Sequence, residues 1–280
     1  MSPHPTAPAV SIVTKVRNAD PALFAATARS VAAQTFTDFE WVVVESPPHG
    51  NVAEVLAATG LPRVQHVQLP ALDTLAAGRN AAVAASRGAL VAILDADDEC
   101  APDRLQRQTG FLAAHPQVDV LGGALEVIDE AGHRLGYRSY PTEHETILRT
   151  MRRHNAIAQP AVMLRRTAFD AVGGYRDYGE GACEDYELWS RMLRAGHRFA
   201  NLAEVVLRYR VHGAANKAQR LRATLRDTLA VKRDYWRGEF TFGDHLRALG
   251  ERLLLHTPAR WVTRGFLRTT LRQTPLEGRR

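Results

Sequence analysis

In Ala89-Leu90-Val91-Ala92-Ile93-Leu94-Asp95-Ala96-Asp97-Asp98, six apolar residues run without a break and stop at three carboxylates. A short apolar run of this kind marks a strand buried on both faces, as in a parallel sheet. In open α/β sheets, ligands bind beyond the carboxyl ends of the strands. Carboxylates crowded at such an end repel one another unless a cation lies between them, and hard divalent cations prefer oxygen ligands. Alternate residues of extended backbone point the same way, so Asp95 and Asp97 can address one ligand. A competing reading makes these acids a solvated loop ahead of Pro102, since Asp favours helix starts.

On either side of this segment, strands and helices alternate. Val10 to Thr14 reads as a strand, and Asp20 with Pro21 starts a helix reaching about Gln34. Phe39 to Val44 is a second strand, ended by Pro47-Pro48-His49-Gly50, and Val64 to Leu69 a third. An Ala-rich helix over 73–86 leads into the Ala89 to Leu94 strand. Downstream, Pro102-Asp103 begins a helix to about His115. Val118 to Val127 and Ala161 to Leu164 read as strands, with a turn at Asp129 to Gly132. Glu184 to Leu193 is helical with Gly196 at its C-terminal end, and Val205 to Val211 is a strand. This order predicts βαβ units and a mostly parallel sheet flanked by helices. Beyond Gly213 the chain turns helical and basic.

The 280 residues are 45% apolar, enough for a sizeable core. Two cysteines, Cys100 and Cys183, give no disulfide framework and fit a reducing compartment. No basic segment followed by an apolar stretch opens the chain, and no eighteen apolar residues run together, so the expectation is a cytoplasmic protein without a membrane span. The net charge of +6 is uneven: residues 216–280 hold 15 basic against 6 acidic side chains, whereas the first 215 are mildly acidic. That asymmetry argues against a nucleic-acid-binding core and predicts a domain over 1–215 followed by a basic helical segment over 216–280.

Several further motifs stand in a telling order. Ser30 to Val44 includes Gln34-Thr35-Phe36 and Phe39-Glu40-Trp41. Gly78-Arg79-Asn80 precedes the triple-Asp loop, and Gly173-Gly174-Tyr175 and Glu184-Asp185-Tyr186-Glu187-Leu188-Trp189 follow it. Taken together, this order resembles family 2 glycosyltransferases with the GT-A fold, over roughly residues 9 to 213. The resemblance implies a hexosyl- or hexosaminyltransferase that uses Mn²⁺ or Mg²⁺ and a nucleotide-diphosphate sugar, with a UDP-sugar favoured and a glycan or lipid-linked acceptor. Asp97 is similar to the family's metal-binding Asp, with Asp98 assisting and Asp95 nearer the ribose or donor sugar. Thr14, Val16 and Arg17 resemble the loop that holds base and ribose, and Arg79 reaches base or phosphate. Asp185 resembles the catalytic base, with Glu184 beside it, and His212 a third metal ligand.

Each assignment has a plain counterpart. Arg79 also reads as a helix-surface arginine, Glu184-Asp185 as acids complementing a helix dipole, and His212 as a surface histidine. One departure from the family matters: where an Asp-rich sequence that helps bind the base usually follows the second strand, this chain has Glu45-Ser46-Pro47-Pro48-His49-Gly50, in which Glu45 keeps a base-binding carboxylate but extends it by one methylene, which leaves the base open. The Gln/Arg-X-X-Arg-Trp motif of processive members is absent, so a single-sugar transfer is expected. In the tail, Arg260, Arg264, Arg268 and Arg272 would form one helical stripe, either an anchor on anionic lipid at the inner face of the plasma membrane or an ordinary solvated face. A nucleotidyltransferase and a non-catalytic nucleotide-sugar-binding scaffold are the alternative functions at this level.

Overall fold

The computed structural model describes residues 7–71, 74–180, 183–211 and 214–255, with side chains of the last part described from Arg222 onward. The first half builds a parallel sheet. Strand β1 (Val10–Arg17) is followed by α1 (Pro21–Ala32), β2 (Phe39–Ser46), α2 (Val52–Ala57), β3 (Val64–Gln68), α3 (Leu75–Ala85) and β4 (Leu90–Ile93). Helix α1 starts where the sequence says it should: the Asp20 carboxylate accepts from the backbone N–H of Ala22 and Leu23, with Pro21 at the first helical position. β1 pairs in parallel with β2 on one side and with β4 on the other, while β3 lies outside β2. The chain therefore leaves β1 in one direction and returns to its other side at β4, and that reversal opens a crevice at the carboxyl ends of both strands. The triple-Asp loop sits at this crevice.

Beyond β4 the sheet is mixed rather than mostly parallel. The second half contains β5 (Glu99–Cys100), α4 (Arg104–Ala114), β6 (Val120–Ile128), β7 (Arg134–Arg138), α5 (His144–Met151), β8 (Met163–Arg165), α6 (Arg166–Ala171), α7 (Glu184–Arg194) and β9 (Phe199–Arg210). β8 runs antiparallel to both β4 and β6, β9 runs parallel to β6, and the short β5 pairs antiparallel with β9. The full order is β3-β2-β1-β4-β8-β6-β9-β5, with β7 on β6.

Both faces of the sheet are covered. Val13, Val42, Val44, Val91 and Ile93 belong to the core on one side; Ile12, Trp41, Val43 and Ala92 belong to the core on the other. Burial on both faces is what writes a continuous apolar run into β2 and β4. The C-terminal helices α8 (Ala214–Val231) and α9 (Phe242–Leu254) follow. Val231 and the short turn ending at Trp236 enter the first of these cores, where the Trp236 indole donates to Ser190 Oγ at 2.9 Å. Among the described residues, no helix is long and apolar enough to cross a membrane.

One close approach fixes the entry to β4. The Gly88 N–H donates to Ser11 Oγ at 2.7 Å, and that hydroxyl donates to Glu40, which Arg87 also engages. A Cβ on Gly88 would lie 2.6 Å from the Ser11 backbone nitrogen and 2.8 Å from the Val10 carbonyl carbon. Backbone cannot yield as a side chain does, so Gly88→Ala should cost about 2–3 kcal/mol. A urea midpoint within error of the parent's would count against this packing.

Candidate active site

The loop after β4 is held from several directions. The Thr27 hydroxyl of α1 donates to the Ala96 carbonyl at 3.0 Å, and the buried Arg104 donates to the Ile93 carbonyl at 2.9 Å. The strongest hold comes from Arg210 at the end of β9. Its backbone N–H donates to Asp98 Oδ1 at 2.8 Å and its Nε to the Asp97 carbonyl at 2.9 Å, while the rest of its guanidinium engages Glu99 and the carbonyls of Asp129 and Glu130. Asp98 is buried, and among the described residues nothing donates to its Oδ2. Burial, with Asp97 and Asp95 close by, pushes its carboxyl well above the usual range.

The second half of the site is the start of α7. Glu184, Asp185 and Glu187 occupy its first turn and Arg191 and Arg194 its last, a distribution that matches the helix dipole. Asn155 Nδ2 donates to Asp185 Oδ2 at 2.9 Å. Burial, and next the Glu184 carboxylate, push the Asp185 carboxyl up to about 7. A carboxylate so placed can accept a proton near neutral pH.

Arg79, on α3, joins the two halves. Its guanidinium bonds Glu184 through Nη1 and Asp95 through Nη2, the latter at 3.3 Å. It also lies over the Tyr175 ring, 5.7 Å from the centroid. The next residue locks the Gly173-Gly174-Tyr175 turn: Asn80 Nδ2 donates to the Tyr175 carbonyl at 2.8 Å, and its Oδ1 accepts from the Tyr175 N–H at 2.9 Å. Gly174 has φ +69°, and a Cβ there would lie 2.6 Å from Asn80 Oδ1, so both conformation and space call for glycine. Gly78-Arg79-Asn80 and Gly173-Gly174-Tyr175, about 95 positions apart, are thus one unit.

Residues 11–173, more than half of the chain, match the model of glycosyl transferase family 2. The chain belongs to that family. Among its relatives, the putative glycosyltransferase EpsE of Bacillus subtilis is 26% identical over 243 residues, covering 85% of this chain and 86% of EpsE. The amylovoran biosynthesis glycosyltransferase AmsE of Erwinia amylovora is 29% identical over 184 residues, covering 65% of this chain and 68% of AmsE. The crystal structure of Staphylococcus aureus TarS 1–349 superposes with a TM-score of 0.63 at 18% identity, over 88% of this chain and 71% of that 1–349 chain. The mannosyltransferase PcManGT of Pyrobaculum calidifontis, solved with GDP-Man and Mn²⁺, gives 0.58 at 17% identity, over 91% and 72%. At these identities the two structures speak for the fold, which is GT-A.

Within this glycosyltransferase, Asp95, Asp97, Asp98, Arg79, Glu184 and Asp185 gather at the crevice. The base-side residues are less uniform. Strand alternation turns Thr14 and Val16 inward: the buried Thr14 hydroxyl accepts from the Trp41 indole at 3.0 Å, and Val16 lies in the core. Any contact these two make with a nucleotide comes from main chain. Lys15, on the opposite face, lines a small cavity with Val13, Arg79, Asp95 and Tyr175, and its Nζ donates to Ser46 Oγ at 2.7 Å. The same period-2 alternation was available in the sequence to pick Lys15. Arg17 is exposed at the strand end.

Glu45 is buried and its carboxylate is engaged within the protein, by the Gly50 N–H at 2.6 Å, His66 at 3.0 Å and Gln68 at 3.1 Å. Burial raises its carboxyl, but those bonds outweigh it and hold the group below the usual range. It braces the 47–50 loop. His212 and the arginine stripe from Arg260 lie outside the described residues. Missed at the sequence level were Asn155, the Arg210 staple, and a Tyr140–Arg138 pair with Tyr209. Burial raises the Tyr140 and Tyr209 hydroxyls; Arg138 bonds the first, and Asp98 and Asp95 act on the second. Tyr209 and Arg210 stand in the strand read over Val205 to Val211, yet nothing local marks Asn155 or Tyr140.

Proposed function

We propose that this glycosyltransferase moves one hexosyl or hexosaminyl unit from a nucleotide-diphosphate sugar to an acceptor hydroxyl with inversion, in the assembly of cell-envelope or extracellular polysaccharide. The observation that carries the reading is the Asp95–Arg79–Glu184 bridge, which sets the Asp185 base opposite the triple-Asp loop. In this reading the Asp185 carboxylate takes the proton of the acceptor hydroxyl as its oxygen attacks the anomeric carbon. The bond from that carbon to the diphosphate breaks on the opposite face, and the nucleoside diphosphate leaves with the bonding pair. Asn155 orients the base, and Arg79 holds Glu184 in place beside it.

Among the described residues, no three His, Cys, Asp or Glu side chains converge as a ready-made cation site. The buried Oδ2 of Asp98, without a hydrogen-bond donor among the described residues and beside Asp95 and Asp97, fits a different arrangement. Mg²⁺ or Mn²⁺ commonly takes only one or two protein carboxylates and completes its shell with substrate phosphates and water. Asp97 and Asp98, with His212, would hold such an ion, and Asp95 would face the donor. The ion supplies neutralisation of the charge that develops on the leaving diphosphate.

Other parts of the reading rest on relatives. AmsE and the Escherichia coli O-antigen biosynthesis glycosyltransferase WbnJ are named for polysaccharide assembly, which supports a glycan or lipid-linked acceptor. TarS has been solved with UDP and with UDP-GlcNAc, and PcManGT with GDP-Man, so a UDP-sugar remains the first choice of donor and a GDP-sugar the second. We assign the catalytic domain to residues 1–215 and the enzyme to the cytoplasm, with the basic segment 216–280 directed to the inner face of the membrane. The deciding experiment is a panel of nucleotide sugars incubated with and without Mn²⁺, read by released nucleoside diphosphate. One donor should turn over, and a chelator should abolish it. Tight donor binding without turnover on any acceptor mixture or water would sink this mechanism.

A further inference from the structure

Helix α9 is inverted in its polarity. Phe242, Leu246, Leu249 and Leu253 follow one another at helical spacing and form a single stripe. In an ordinary surface helix that stripe would face the core. Here it faces outward, with exposures of 80%, 54%, 54% and 63%. The side packed on the protein is the polar one. Asp244 is buried and accepts from Arg153 Nε at 2.7 Å, and Glu251 accepts from the buried Lys232 Nζ at 2.6 Å. Among the described residues, five of the seven exposed large apolar side chains sit on this one helix, so the patch is not scattered surface apolarity.

The acids of α9 are both turned inward, which leaves apolar groups and cations for the outer side. His245 and Arg252 flank the stripe and are exposed, while Arg247, also exposed, pairs with Glu251 at 3.2 Å. The sequence that follows adds six arginines and one glutamate over residues 256–280, together with Trp261, Phe266, Leu267 and Leu271. The stripe offers on the order of 500 Å² of apolar surface, below the ~800 Å² that each partner contributes to a stable protein interface. A second copy of this chain is therefore a poor match. An amphipathic helix with an apolar face, basic flanks and no outward acid has the chemistry that settles into the headgroup layer of an anionic bilayer.

We propose that the outward stripe of α9 is a membrane-docking face, which inserts Phe242, Leu246, Leu249 and Leu253 into the interfacial layer of an anionic bilayer. The inference deepens the reading of a membrane-proximal enzyme and rests on it for location alone. Because α9 packs on α8 and α8 on α7, docking would hold the helix that carries Asp185 at a set orientation to the lipid surface.

The test uses the full chain with phosphatidylcholine vesicles, with and without phosphatidylglycerol, in a sedimentation assay. Binding should require phosphatidylglycerol and weaken with salt. Leu246→Asp/Leu249→Asp should lower the partition coefficient at least tenfold, on the order expected from losing two apolar contacts and adding two charges of the wrong sign. Both side chains point away from the core, so the melting temperature should hold. Phe242→Trp provides a second readout: its difference fluorescence should shift to the blue on vesicle binding. Undiminished binding of the double variant would overturn the proposal and place lipid contact elsewhere, as would absence of binding to either vesicle. A concentration-dependent dimer abolished by the double variant would overturn it in favour of a second copy. Donor turnover is measured separately, so failure of vesicle binding leaves the transferase reading standing, and failure of turnover leaves the docking face standing.

Discussion

Asp185→Asn should lower kcat by about 10³-fold or more while leaving donor affinity near that of the parent, because the variant loses the proton acceptor and keeps the shape. The parent should show an acid limb in its rate profile near pH 7, where Asp185 takes up its proton, rather than near the ordinary aspartate value of 3.8. Stability should move the opposite way. Between these two values the folded chain holds a proton on Asp185 that the unfolded chain has released, so stability falls as pH rises through that window. Asparagine carries no such penalty. The variant should therefore melt above the parent at pH 8 and level with it at pH 4. A variant that transfers sugar at the parental rate would remove Asp185 from its role.

Arg79→Met should damage both halves of the site. The methionine keeps much of the stem, so the loss is chiefly that of the charge between Glu184 and Asp95. Glu184 is buried, and stripping the partner from a buried ion pair costs about 3–5 kcal/mol; the half-buried Asp95 adds less. Once the bridge is gone, α7 and the triple-Asp loop are free to drift, and a displacement on the order of 1 Å lowers kcat/KM about 10²-fold. Adding Glu184→Gln should restore most of the stability, since only the half-buried Asp95 is then left without its partner, and none of the rate. Urea unfolding of the four corners of this cycle gives the coupling. A single variant within about 0.5 kcal/mol of the parent would show that the bridge carries no weight.

The parallel half of the fold was legible because double-faced burial writes itself as unbroken apolar runs. Trp41 to Val44 and Ala89 to Leu94 could hardly be anything but interior strands. The second half was harder. β7 reads Arg-Leu-Gly-Tyr-Arg, an edge strand whose charges hide its period. α5 follows Pro141 closely and buries only Ile147 and Met151, too few to mark a helix. β5 has two residues and exists through its pairing with β9. These elements are set by neighbours rather than by their own composition.

The site shows the same division. Asp95, Asp97, Glu184 and Asp185 stood out because acids at strand and helix ends are chemically conspicuous. Thr14 and Val16 were chosen by position in the chain, and strand alternation turned their side chains inward. Asn155 is one amide in a polar stretch, and its meaning depends on an aspartate thirty positions away. Arg210 was visible as a residue of the Tyr-Arg-Val strand, but its duty toward Asp97 and Asp98 exists only in three dimensions.

That duty has a consequence for how the protein is made. The Asp98–Arg210 bond spans 112 residues. At roughly 5–20 residues per second, a nascent chain exposes its acidic loop for on the order of ten seconds before the arginine leaves the ribosome. The core closes later still, when Trp236 reaches Ser190. Throughout translation of its middle third, the chain is a half-built sheet in which Asp98 lacks its Arg210 partner. Synthesis from the N-terminus thus builds the crevice first and staples its acidic loop last.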